Sequence, residues 1–123
     1  MAFRSVLSGS TNGKLVSVTG TSAAAAVALH VAGSSSNSLV LDEVWLYATN
    51  TAASNISVTL CYGDTSAASL VTFTVPSLDG FYTLVPGFMM NGGKTISAYS
   101  ATASSISIGG FVVKHDMAQF QPQ

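Results

Sequence analysis

Five carboxylates, two histidines and one cysteine are all that this 123-residue chain offers for acid–base, metal or thiol chemistry. Glycoside cleavage needs two carboxylates flanking one bond. Asp42 and Glu43 are adjacent, so on a strand they project to opposite faces and cannot share a substrate. Asp64 and Asp79 stand in the turn-forming contexts GDTS and SLDG, where Asp hydrogen-bonds its own backbone. His115-Asp116 is the one place where a histidine adjoins a carboxylate, and a metal site needs more donors than that. His30 is isolated in an apolar segment and reads as a partnered side chain. Cys61 cannot form an internal disulfide because no second cysteine exists. With no histidine near it in sequence, it reads as a bystander. The serines include no Gly-x-Ser-x-Gly elbow. Asn91-Gly92-Gly93-Lys94-Thr95 lacks the spacing of a phosphate-binding loop. The expectation is a protein that is not an enzyme and holds no cofactor and no metal. Tyr47, Tyr82 and Tyr99 have the side-chain type of a sugar-stacking platform, and equally that of packing residues with a polar tip.

These groups must be positioned by strands. Residues 39–62 hold the strongest signal, LVLDEVWLYATNTAASNISVTLCY. In its second half Ile56, Val58, Leu60 and Tyr62 alternate with Asn55, Ser57, Thr59 and Cys61, which is period two with one dry and one wet face. Its first half is apolar on both faces and carries Asp42 and Glu43 between, so it should be covered on both sides or lie where a covered layer meets an edge. A buried, unpaired carboxylate is costly. Asp42 or Glu43 is therefore expected to be paired, with a subunit boundary as one place for the pairing.

The rest of the chain reads as short strands between turn signals. Residues 15–21 form a short strand. Residues 21–32 (TSAAAAVALHVA) mix good helix formers with strand-like alternation and are read as a strand. GSSSNS at 33–38 is a loop. Residues 69–75 form a strand stopped by Pro76. Residues 81–85 form another, ended by Pro86-Gly87, with Phe88-Met89-Met90 as a separate apolar piece. Asn91-Gly92-Gly93 is a hairpin signal before the strand at 94–100. The last strand, 105–114, contains Gly109-Gly110, which suggests a bulge or a close backbone approach. The sum is an all-β domain, an antiparallel β-sandwich or jelly-roll-like barrel of about eight short strands. Its organisation is an N-terminal arm at 1–14, a sandwich domain at 15–114 and a C-terminal tail at 115–123.

Composition sets the class of partner. Only 7% of residues are charged, against about 25% in an average domain. Such a surface suits burial against neighbouring subunits, which replace the solubility that charge provides. Arg4, Lys14, Lys94 and Lys114 are scattered, which argues against nucleic acid as a partner. The longest uncharged apolar run is far below the ~20 residues of a membrane helix. The first residues lack the apolar core of a signal peptide, so synthesis in a cytoplasm is expected.

Three segments, LDEVWLYATNT (41–51), VPGFMMNGGKTISAYS (85–100) and SISIGGFVV (105–113), resemble small virion proteins of tailed bacteriophages. The nearest resemblance is to capsid decoration, or cement, proteins, and it spans roughly residues 38–113. The resemblance implies a β-sandwich or β-barrel subunit, often trimeric, on the outer shell. Its expected partners are the major capsid protein, whose neighbouring copies it bridges, and itself, as a homotrimer. It implies a place on the virion and carries no catalytic residues. Similar β modules occur in tails, necks and head fibres, and a carbohydrate-binding adhesin domain is the further alternative. The candidate interface residues are Phe3 and Arg4 in the arm, Asp42 and Glu43, the adjacent Met89 and Met90, and Met117 and Phe120 in the tail. Of the two adjacent methionines, which point to opposite sides of a strand, one is expected to be exposed.

Overall fold

Alternating sequence patterns build two antiparallel sheets in the computed structural model, which describes residues 2–117. The strands are β1 (Ala2–Val6), β2 (Val16–Ser17), β3 (Val27–Val31), β4 (Val40–Asn50), β5 (Ile56–Gly63), β6 (Leu70–Val75), β7 (Tyr82–Met90), β8 (Thr95–Ser100) and β9 (Ile106–Asp116). One sheet runs β1-β9-β4-β7, with β2 also on β9; the other runs β3-β8-β5-β6. Strand accounts for 54% of the described residues, and the two sheets pack against each other as an all-β sandwich. No α-helix occurs among the described residues.

The core is the set of inward positions of the long strands. Val44, Leu46 and Ala48 of β4 meet Val58 and Leu60 of β5, Ile96 and Ala98 of β8, and Ile106, Ile108 and Val112 of β9, all fully buried. Alternation is strictest along β4, where even-numbered residues from Asp42 to Asn50 are buried and odd-numbered ones half-buried. The same parity places Asp42 inside and Glu43 outside.

The Gly109-Gly110 pair is a close approach, not a bulge. The register of β9 against β4 runs unbroken from Val40↔Asp116 to Asn50↔Ile106. A Cβ on Gly110 would lie 1.9 Å from the carbonyl oxygen of Trp45, so only glycine lets the two backbones come this close.

Three expectations are corrected. Residues 21–32 are not one strand: Ala23–Ala25 forms a 3-10 turn and only Val27–Val31 is extended. A register shift between Ala28 and His30 then turns both Leu29 and His30 inward. Residues 82–90 are one strand rather than two pieces. Pro86-Gly87 does not end β7, because the strand lies at a sheet edge and absorbs Pro86 through register shifts against β4. Cys61 does not meet solvent. It points away from the core, yet it is fully buried beside its cross-strand neighbours Leu70 and Ser97. The expected pairing of Asp42 and Glu43 is present and is made within the chain, as described below.

The two open sides of the sandwich differ. On the β1/β3 side the chain itself closes the seam. Leu7 is buried, the Gly9 amide donates to the Leu29 carbonyl at 2.9 Å, and the Val31 amide donates to Ser8 Oγ at 2.8 Å. β1 belongs to residues 1–14, read from sequence as an arm, and it pairs with β9 of its own chain, Ala2 opposite His115. On the β6/β7 side no such strap crosses among the described residues. β7 is an irregular edge with Pro86 and two register shifts, features that discourage strand addition. β6 is regular and uncharged.

Candidate functional site

Most of the ionisable side chains collect at one end of the β1-β9-β4-β7 sheet, around Asp42 and Glu43. Asp42 and Lys114 are direct cross-strand partners on the inward face, and Lys114 Nζ donates to Asp42 Oδ2 at 3.1 Å. The same oxygen lies 2.7 Å from His30 Nε2, which reaches it from β3 in the opposite sheet. The Ser8 amide donates to His30 Nδ1 at 3.1 Å. With Nδ1 accepting, the neutral ring carries its proton on Nε2 and donates it to Asp42. One chain of bonds thus runs from the loop after β1, through β3, to β4 and β9. Burial raises the Asp42 carboxyl, but the hydrogen bonds from His30 and Lys114 outweigh it and hold the group below the ordinary aspartate value.

Ser8, His30 and Asp42 are the residue types of a hydrolytic triad, but their roles differ. The backbone amide of Ser8, not its hydroxyl, meets the imidazole, and the hydroxyl accepts the Val31 amide instead. A nucleophile would need its hydroxyl on the histidine. The arrangement is an inter-sheet latch.

Glu43 organises the outer face. His115 Nε2 lies 2.9 Å from Glu43 Oε1, and the Trp45 indole N–H donates to Oε2. The bonds from His115 and Trp45 hold its carboxyl below the usual range. Trp45 stacks on Phe111, its cross-strand partner, with ring centroids 5.7 Å apart and planes 7° from parallel. The Arg4 guanidinium sits 5.7 Å from the centre of the Phe111 ring. From β7, Gly87 lies close against the indole, where a Cβ would be 3.1 Å from Cζ2. Trp45 is therefore held between neighbours and offers no open ring face to a sugar. The three candidate tyrosines do not form one platform either: Tyr47 and Tyr82 belong to the five-stranded sheet and Tyr99 to the four-stranded one.

The β6/β7 seam carries an apolar groove of about 390 Å³, lined by Tyr62, Ala68, Ser69, Val71 and Phe88. Tyr62 and Phe88 meet edge to face across the two sheets, with centroids 4.8 Å apart. A second hollow of about 220 Å³ shares these two rings and adds Met89, Met90, Asn91 and Lys94. Burial pushes the Tyr62 hydroxyl above its ordinary value.

The expected interface residues therefore separate. Asp42, Glu43 and Arg4 come together at the ionic end, with Asp42 buried. Phe3 is 52% exposed on β1. Met89 is exposed and Met90 buried, and both line the second hollow beside the groove. Met117 is exposed. Phe120 lies outside the described residues. Sequence reading named Asp42 without naming His30 and Lys114 as its partners. The available signal was the inward parity of Lys114 with Ile106, Ile108 and Val112; for His30 the register shift between Ala28 and His30 removes any such signal. Among the described residues, no group of three or more His, Cys, Asp or Glu could hold a metal ion. No helix there is long and apolar enough to cross a membrane. Comparison with protein-family models, with curated proteins and with solved structures finds no match to this chain.

Proposed function

We propose that this protein is a non-enzymatic structural subunit of a bacteriophage virion, a homotrimeric capsid decoration protein that stabilises the head by bridging major capsid subunits. The observation that carries the reading is how the surface is divided. Three of the nine Asp, Glu, Lys and Arg residues, Asp42, Glu43 and Lys114, are spent on internal pairs with each other and with His30 and His115. Large apolar side chains such as Phe3, Leu78, Phe81, Phe88 and Met89 are left in solvent. A surface low in charge and dotted with apolar anchors suits burial against other subunits. The resemblance of residues 41–51, 85–100 and 105–113 to decoration proteins supplies the kind of assembly.

The test is addition of the purified protein to capsids that lack it, followed by cryo-EM of the particles and a capsid melting curve. Density on the outer shell across capsid joints, with a raised melting temperature, is the expected result. A protein that fails to add to such capsids, or that is found only in the tail or neck of intact particles, overturns the reading.

A further inference from the structure

The turn between β6 and β7 is built to hold apolar side chains out in solvent. Leu78 adopts a left-handed backbone conformation, φ +53°, which is unfavourable for a non-glycine residue. It is nonetheless 71% exposed, and Phe81 three residues later is 64% exposed. Neither side chain is buried in the core in return; Phe81 keeps only an edge-to-face contact with Tyr47, ring centroids 6.5 Å apart.

The turn is fixed by the buried side chain and backbone of Asn50. Its amide donates to the carbonyls of Ser54 and Val75 at 3.0 Å, and its Oδ1 accepts the Ala52 amide at 2.9 Å. The Leu78 amide donates to the Asn50 carbonyl at 3.0 Å, and the Ser77 amide to Asn55 Oδ1 at 3.1 Å. A rigid, pre-formed apolar knob loses little freedom on binding, which is the property of an interface anchor.

The same molecule carries a hollow of matching chemistry at the other end of the β6/β7 seam. The groove of Tyr62, Val71 and Phe88 is apolar. It lies about 20 Å from the turn, as six residues of β7 span about that distance. Charge matches as well. Asp79 stands between Leu78 and Phe81 in the knob, while Lys94 borders the hollow next to the groove. Neither forms an ion pair among the described residues, although Lys94 also acts on Asp64.

We infer that the Leu78–Phe81 knob of one copy seats in the Tyr62–Val71–Phe88 groove of the next, head to tail. A knob and a groove at opposite ends of one subunit form a heterologous contact, which closes into a ring when each step turns the subunit by the right angle. A ring of three satisfies every knob and every groove. This inference rests on the homotrimeric reading above and names the contact that makes the trimer.

The experiment is sedimentation and light scattering of the full chain, of three variants and of the Asp79→Lys/Lys94→Glu double variant. One is the knob variant L78S/F81S, another the groove variant Val71→Glu, and the third Asp79→Lys. All four positions are at the surface, and circular dichroism checks that each variant keeps the wild-type fold. Wild type is expected at three times the 12.5 kDa chain mass. The knob and groove variants are each expected as monomers, a threefold loss of mass. Asp79→Lys should weaken assembly, and adding Lys94→Glu should restore it. The decisive step is mixing. Knob and groove variants combined at equal concentration retain one intact knob and one intact groove, so they should form a heterodimer.

Mixed variants that stay monomeric, single variants that remain trimeric, or a wild type that is monomeric at millimolar concentration overturn the contact. The capsid-addition assay reads the other question separately. A wild-type trimer that assembles through this contact yet never adds to capsids sinks the decoration reading alone.

Discussion

Removing the Asp42 carboxylate should be among the most damaging single changes available in this fold. Asp42→Ala deletes the acceptor of two bonds, from His30 Nε2 at 2.7 Å and Lys114 Nζ at 3.1 Å. His30 is 2% exposed, so its Nε2–H finds no water. It cannot move the proton to Nδ1 without losing the Ser8 amide. Breaking a buried charged network from one side costs about 3–5 kcal/mol. Lys114 is partly exposed and regains water, which favours the lower end, about 3 kcal/mol. Asp42→Asn keeps an acceptor oxygen and loses only the charge. Two charge-assisted bonds become neutral, a loss of about 1 kcal/mol each and so about 2 kcal/mol. Replacing His30 and Asp42 together by leucine removes both partners and should recover most of the loss. Urea melts at pH 7 measure all three variants, and for a domain of this size about 3 kcal/mol corresponds to a fall in Tm of roughly 10–15 °C. The pH dependence gives an independent check. The Asp42 carboxyl is held below its ordinary value of 3.8, so its stabilisation is present above pH 3.8 and lost as pH falls through the lower folded value. Wild type should lose stability through that acid window, and Asp42→Asn should lose less. Asp42→Ala and Asp42→Asn both within about 0.5 kcal/mol of wild type would refute the latch, since changes of that size are typical of inert surface sites.

Three further outcomes follow from the packing. Gly110→Ala forces a methyl against the Trp45 carbonyl and should destabilise by about 3 kcal/mol, read as a lower urea midpoint with unchanged slope. Glu43→Gln acts on a half-exposed outer-face pair and should cost no more than about 1 kcal/mol, while shifting Trp45 fluorescence because the indole N–H loses its charged acceptor. Cys61 is fully buried, so a thiol reagent should label it only at the rate of unfolding; rapid labelling of the native protein would contradict the packing around β5.

The sandwich was legible wherever one periodicity dominated. The alternation of Ile56, Val58, Leu60 and Tyr62 marks β5, and these positions face the core. The two-sided apolar pattern of 39–47 reflects a central strand with a packed inner face and an outer face covered by Trp45 and Phe111. Local pattern failed where backbone irregularity decided the outcome. The register shift at Ala28/His30 broke the parity of β3, and with it the alternation that sequence reading relied on. Pro86 read as a terminator because its tolerance depends on β7 being an edge, a property of sheet order rather than of neighbouring residues. Cys61 read as wet because alternation reports which face a residue points to, not how closely Leu70 and Ser97 cover it. The ionic end was legible in half: burial of an acid demanded a partner, but His30 and Lys114 lie 12 and 72 positions away.

The position of β9 in its sheet bears on how the protein can be made. It is the last strand among the described residues, yet β1, β2 and β4 all pair with it. Ala2 finds its partner in His115, almost a full chain length away. A ribosome-bound chain whose residues 106–116 have not yet emerged therefore has no centre for that sheet, and early-synthesised β1 and β4 wait without their common neighbour. Such non-local pairing makes for slow folding. During the wait the uncharged β6 segment is exposed to other nascent copies. The yield of native protein should then depend on synthesis rate and temperature more steeply than its final stability would suggest.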